Sequence, residues 1–271
     1  MKNLEIYCTS IKYYNIIDKL PAYIKPLGLG ANTFPKHWLV DNIGDNISHL
    51  NKHYGELTGI YWIWKNNIKN LSNNDLIGNC HYRKLWLNNK FVNKQKKTFE
   101  SLYQNLLSEK NEHLDNCDSL QVQPIKFKSK NLLEDFKEIH KCQALLECLD
   151  FLDNENKEKF RQHLNGHILF PLNMFITKVI FFREYCEIIF PWLEKCLNYC
   201  RFNNLLKDYN IRLPAFLAER FTSYWFSQYN IKNDLSYARL GNFFLSNNIN
   251  KIINPIKLPF TFKMYPTIHN Y

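Results

Sequence analysis

The chain has 271 residues, is 45% hydrophobic and 15% aromatic, and carries a formal charge of +10 with a pI near 9.1. That length supports a substantial core, and so aromatic a composition excludes a disordered chain. The basic residues are scattered, with no recognition-helix pattern, RNA-binding-sheet signature or zinc-finger spacing, which argues against nucleic acid and leaves anionic sugar nucleotides or an anionic membrane surface as partners for the charge. The eight cysteines form no Cys-x-x-Cys pair, the N-terminus lacks an apolar signal core, and no apolar run approaches the roughly 18 to 20 residues that span a bilayer. A cytoplasmic protein with reduced thiols is expected, with peripheral contact at the inner face of a membrane as a further option.

In chain order, Leu4 to Cys8 reads as a first strand closing on Thr9-Ser10. Pro21 to Pro35 holds a glycine loop with Gly28 and Gly30, neither a P-loop nor a dinucleotide fingerprint. Trp38-Leu39-Val40 is a short apolar run ending at Asp41. Gly44 permits a tight turn, Asp45, Asn46 or Ser48 can cap a helix, and Ile47, Leu50, Tyr54, Leu57, Tyr61 and Trp64 recur at helical spacing, which predicts one long amphipathic helix. After the turn at residues 72–75, Leu76 to Cys80 forms a second strand closing on His81-Tyr82-Arg83. This strand, helix, strand unit places polar groups at both strand ends, where open α/β sheets bind ligands beside helix N-termini that favour anions.

Beyond it, Asn88-Asn89-Lys90 suggests a turn, Phe99 to Leu107 a helix and Leu120 to Phe127 a strand. Helical patterns cover Leu132 to Leu152, and Ile176 to Phe202 with a kink or division at Pro191. The last runs from Pro214 to about Tyr229. The fold expected is α/β, an open sheet that takes a ligand at its strand ends, with a largely helical C-terminal half. Residues 1–235 form one domain, sheet-rich over 1–130 and helix-rich over 131–235, followed by a basic, aromatic arm over 236–271.

Asp41, Asp45, Asn46, Asn51 and Glu56 crowd polar groups around one helix start, and with Arg83 from the neighbouring strand end they point to a ligand site. His81, Tyr82 and Arg83 suit a diphosphate or sugar, since arginine offers a planar fork to phosphate. His49, His53 and Glu56 could face one direction and hold a metal as in a metallohydrolase, but the His-Glu-x-x-His order is absent. Glu219-Arg220 inside an apolar helix conflicts with its surroundings and demands partners, either at a site or in a buried ion pair.

The run Asp41-Asn-Ile-Gly44-Asp45-Asn46-Ile47-Ser48, with Asn51, Tyr54, Glu56-Leu57-Thr58, Tyr61-Trp62-Ile63-Trp64-Lys65-Asn66, Ile77-Gly78 and His81-Tyr82-Arg83, resembles a bacterial family of capsule and O-antigen glycosyltransferases. That family was long catalogued as a domain of unknown function and includes galactofuranosyltransferase domains. The likeness continues through Asn173-Met174-Phe175, Tyr185-Cys186, Trp192-Leu193 and Ala218-Glu219-Arg220; Lys84 departs from a second arginine common in that family. The resemblance implies a fold like the GT-A class and transfer of a sugar from a UDP-sugar, with UDP-galactofuranose leading, to a glycan or lipid-linked glycan of the cell surface. It also implies nucleotide-sugar contacts at Asp41, Asn46, Ser48, Asn51, Glu56, Lys65, His81, Tyr82, Arg83, Asn173 and Arg220, with Asp45 and Glu219 as candidates for the base. No convincing Asp-x-Asp motif is present, so metal independence is expected over a Mn²⁺ or Mg²⁺ requirement. The rival reading from another class is a non-catalytic polysaccharide-binding or assembly protein.

Overall fold

The computed structural model describes residues 3–87, 103–115, 118–122 and 124–229, with further strand segments at 237–238, 241–242, 244–245 and 252–253. Its frame is a mixed sheet. Strands β1 (Leu4–Ser10), β2 (Ile24–Gly28), β3 (Leu39–Val40) and β4 (Leu76–His81) are parallel, in the spatial order β3-β2-β1-β4. β5 (Lys84–Leu85) folds back antiparallel on the end of β4. β6 (Ser119–Val122) lies beyond β9 (Phe175–Lys178), which runs antiparallel to both β4 and β6. The expected strand from Leu120 to Phe127 is therefore two: after Val122 the chain leaves the sheet, and β7 (Ile125–Lys126) pairs with β8 (Ile168–Leu169) instead.

The start of the segment expected as an arm also joins the sheet. β10 (Tyr237–Ala238) lies parallel to β6, and β11 (Gly241–Asn242) lies antiparallel to β5. Residues 88–102, which carry the expected turn and the start of an expected helix, lie outside the described residues, as does the tail from 254.

Side chains alternate across the sheet as a strand period of two requires. Leu4, Ile6 and Cys8 of β1 enter one core with Trp38, Trp86 and Ile176, whereas Tyr7 points to the larger core on the opposite face. The longer helices that enter that larger core are α2 (Leu57–Asn66), α3 (Leu132–His140), α4 (Asn154–Leu164), α5 (Val179–Phe202) and α6 (Leu213–Ser227). α6 is apolar nearly all round and buried at almost every position, as a helix without a solvent face must be. Pro214 sits in its first turn, where a missing amide costs nothing.

Two expected helices are interrupted, each where a residue adopts left-handed backbone. The Leu132 to Leu152 pattern opens on an Asn131/Glu134 capping box but stops after α3 at Lys141, whose φ is +53°. The long helix after Asp45 is in fact a 3₁₀ turn, a short helix α1 (Asn51–Tyr54) and then α2. The break is Gly55, at φ +56° and ψ −129°, a conformation open to glycine and costly for any residue with a Cβ. Hydrophobic spacing continues on both sides of it, so the pattern alone looks unbroken. Conversely α5 continues through Pro191, which lies exposed on the helix surface, and its expected first residues are strand β9.

The Gly55 break decides where Glu56 goes, because a continuous helix would turn its side chain elsewhere. Gly55→Ala should lower stability by about 1 to 3 kcal/mol, the usual cost of forcing a disfavoured backbone conformation. A melting temperature unchanged within a degree would show that the break is not fixed by this glycine.

Candidate functional site

The register aligns Thr9 with His81, Ser10 with Gly28 and Gly28 with Val40, so the carboxyl ends of the four parallel strands form one edge. The chain reverses its direction of winding between β1 and β4, the position at which open α/β sheets take ligands. Since β9 is antiparallel to β4, its entry segment Leu172-Asn173-Met174 arrives at this same edge.

Asp41 closes the far side of the edge. Its side chain is fully buried, accepting from the Gly30 amide at 2.7 Å and the Thr58 hydroxyl at 2.5 Å. Asn51 completes the lock by donating to Thr58 Oγ1 (3.0 Å) and to the Gly55 carbonyl (2.9 Å). Burial raises the Asp41 carboxyl above its ordinary range, with the Thr58 and Gly30 hydrogen bonds opposing the rise. Both residues thus tie the glycine loop to the start of α2, and their polar atoms face protein partners.

The chemistry gathers at the switch point. Glu56 accepts from Asn173 Nδ2 at 2.8 Å and pairs with Arg212 at 3.3 Å. Burial would raise its carboxyl, but attraction to His81 and Arg212, with the Asn173 hydrogen bond, outweighs burial and holds it below the usual range. His81 Nε2 lies 3.0 Å from the Leu172 carbonyl, and because a carbonyl only accepts, Nε2 carries the proton. Its Nδ1 faces Thr9 Oγ1 at 3.4 Å. Burial depresses its pKa, against the pull of Glu56, so the ring is neutral at pH 7.

Arg83 rests 5.0 Å from the Tyr82 ring, which stacks on Tyr14 at 4.9 Å, and has no carboxylate partner among the described residues. Lys84 follows it, half-buried; burial pushes its pKa down to about 8, with Glu219 opposing and Arg83 adding to the depression. Two cations without ion pairs among the described residues, an ionised carboxylate and a neutral imidazole thus meet at a sheet edge suited to anions.

A strained corner supports this group. Leu172 and Asn173 both have positive φ, +80° and +50°, unusual for residues other than glycine. Glu219 accepts from the Leu172 amide at 2.7 Å while His81 holds the Leu172 carbonyl. Asn79 donates to the Asn173 carbonyl and accepts from the Phe175 amide. Asn173 itself is buried, donating to Glu56 and accepting from Thr222 at 2.9 Å. Behind Glu219, Arg220 is wholly buried between Glu219 (2.6 Å) and Asp135 (3.0 Å). The Glu219-Arg220 pair is therefore a buried ion-pair chain, and the Arg220 guanidinium presents no surface to a ligand.

The remaining sequence candidates lie elsewhere. Asp45 is exposed and accepts from the Tyr61 hydroxyl at 3.0 Å; Ser48 donates to the Asn46 side chain, which in turn donates to the Gly44 carbonyl within the same turn. Lys65 sits 3.5 Å over the Trp64 ring. His49, His53 and Glu56 go separate ways, with His53 bonded to the Ile211 carbonyl, and among the described residues no cluster of three or more metal-ligating side chains occurs. Sequence reasoning missed Asn79, Arg212, Asp135 and Thr222. Only Asn79 leaves a local signal, as a polar residue inside an apolar strand.

This sheet, with its β1/β4 switch point and helical C-terminal half, defines an α/β fold of the GT-A type. It matches the apo structure of WbbM, a bifunctional glycosyltransferase, with a TM-score of 0.66 at 23% identity, over 94% of this chain and 48% of that one. This chain thus spans about half the length of that protein. No curated protein matches the chain. Residues 5–230 match a family described as a domain of unknown function, DUF4422, and the chain belongs to that family.

Arg220→Met would leave Asp135 and Glu219 as buried carboxylates without their shared cation. A loss of about 3 to 5 kcal/mol is expected, the usual penalty for breaking a buried pair from one side. Urea unfolding measures it; a loss under about 1 kcal/mol would show that the triad is not what holds α3 to α6.

Proposed function

We propose that the protein is a glycosyltransferase that moves a hexose from a UDP-sugar, with UDP-galactofuranose the leading donor, to a hydroxyl of a surface-glycan acceptor. The observation that carries this reading is the meeting of Arg83 and Lys84, which form no ion pair among the described residues, with ionised Glu56 at the switch point of a GT-A-type sheet. The likeness to a glycosyltransferase structure supports it. The donor and the acceptor's place in a capsule or lipopolysaccharide rest on the family resemblance read from the sequence.

In this reading the acceptor oxygen attacks the anomeric carbon, the bond from that carbon to the diphosphate oxygen breaks, and UDP leaves with the electron pair. Arg83 and Lys84 stabilise the charge that develops on the diphosphate, where preorganised cations act most strongly. For an inverting transfer a carboxylate takes the acceptor proton. Glu56 fits that role better than the two carboxylates singled out from the sequence. Glu219 is committed to the Leu172 amide and to wholly buried Arg220, whereas the Arg212 partner of Glu56 is exposed; Asp45 stands exposed beside Tyr61. Neutral His81 positions the Leu172 corner. With two side-chain cations in the place of a metal, transfer should survive EDTA and gain nothing from Mn²⁺.

Thermal shift with a panel of UDP-sugars tests the donor. One UDP-sugar should raise the melting temperature of wild type and fail to do so with Arg83→Ala. No shift with any of them would favour the polysaccharide-binding alternative. In a turnover assay with the donor so named, Glu56→Gln should lose at least about 100-fold, the scale of a lost general base. Asp45→Asn should stay within about threefold; the reverse ranking would return the base to Asp45.

Lys84 also sets a pH dependence. Its charge is present below about 8 and lost above, so UDP affinity should fall as pH rises through that value. Lys84→Met should bind more weakly at pH 7 and show no such fall. An unchanged wild-type affinity between pH 7 and 9.5 would remove Lys84 from the phosphate site.

A further inference from the structure

A groove of about 500 Å³ opens between α2 and α5, and its lining includes none of the switch-point residues Glu56, His81, Lys84, Asn173 or Glu219. Its volume is that of a small-ligand site. One wall is aromatic: Tyr61 stands edge-on to Trp64 (85°) and Phe190 (90°), and Trp64 stacks on Phe190. The rim carries Lys65, Arg201, Glu194 and Asn198, and no ion pair or hydrogen bond to their side chains occurs among the described residues. At the floor, Tyr54 lies within electrostatic reach of Glu194 and Arg201.

These convergent polar groups lie beside an apolar wall and are committed to no partner among the described residues, so a ligand could meet them by displacing water without breaking a bond of the fold. Among the lining side chains Lys65 and Arg201 face Glu194, while Asp45 lies outside the lining on the Tyr61 hydroxyl, so the groove itself favours an anion. Lys65 rests on the Trp64 face, with the Tyr61 ring 5.6 Å away. That contact is worth about 0.5 to 1 kcal/mol where exposed, less than a charge-assisted hydrogen bond, so an anion would draw the ammonium to itself at small cost. An acyl chain would leave the rim groups unsatisfied, whereas a sugar chain offers CH faces to the aromatic wall and hydroxyls to Asn198 and Tyr54.

We infer that this groove docks an acidic stretch of the acceptor glycan, bearing a carboxylate or phosphate, away from the sheet edge where transfer is proposed. The inference rests on the glycosyltransferase reading for its identification of the ligand as an acceptor. The groove would hold the growing chain while its end reaches the switch point, a two-point attachment that strengthens binding without new contacts at the reacting centre.

Isothermal titration with three tetrasaccharides, one of hexuronates, one phosphorylated and one neutral, tests it. At least one acidic ligand should bind about tenfold more tightly than the neutral one. Arg201→Glu should weaken that binding about tenfold, Glu194→Gln should strengthen it, and saturating UDP should leave it unchanged. The two acidic arms distinguish carboxylate from phosphate. Equal binding of acidic and neutral ligands, no binding of any, wild-type affinity in Arg201→Glu, or displacement by UDP would each overturn the inference. UDP binding on the same preparation, read separately, decides the donor reading, so the two can fail independently.

Discussion

The site depends on one strained corner. Leu172 and Asn173 turn the chain from β8 into β9 through left-handed backbone, and such residues persist only where surrounding bonds over-determine them. Here the bonds come from three directions. β4 supplies His81 and Asn79, α6 supplies Glu219 and Thr222, and the start of α2 supplies Glu56. Each partner spends a polar group on the corner, and together they bring an ionised carboxylate beside a neutral imidazole. The electrostatics of the edge thus follow from the demand of two backbone dihedrals.

The break at Gly55 works with the corner. It divides a stretch of helical spacing so that Tyr54 remains at the floor of the α2/α5 groove while Glu56 turns to the sheet edge. One left-handed glycine thereby allots neighbouring residues to two different surfaces. Arg212, packed against that glycine, pairs with Glu56 and so links the break to the electrostatics of the edge.

Much of this frame was legible in the sequence. Apolar runs closing on Asp41 and on His81-Tyr82-Arg83 placed the strand ends correctly, because a buried parallel strand must be apolar and its exit polar. The division of labour among the polar residues was not legible. Asp41 and Asn51 sit beside Asp45 and Asn46 in the chain, yet the first two form an internal lock and the others face outward. Arg220 finds Asp135 85 residues away, and no local pattern announces such a partner. The helix break was hidden because apolar spacing reports burial, and burial continues across Gly55.

Asn173 donates to a carboxylate with one end of its side chain and accepts from a hydroxyl with the other. Among side chains of its size, only an amide can do both without taking up a proton. Aspartate, of almost identical shape, would set a second negative charge against Glu56 in a buried space, and one of the two acids would have to take up a proton. A substitution that is sterically silent and a single nucleotide away is thereby closed to the protein, and the restriction comes from charge alone.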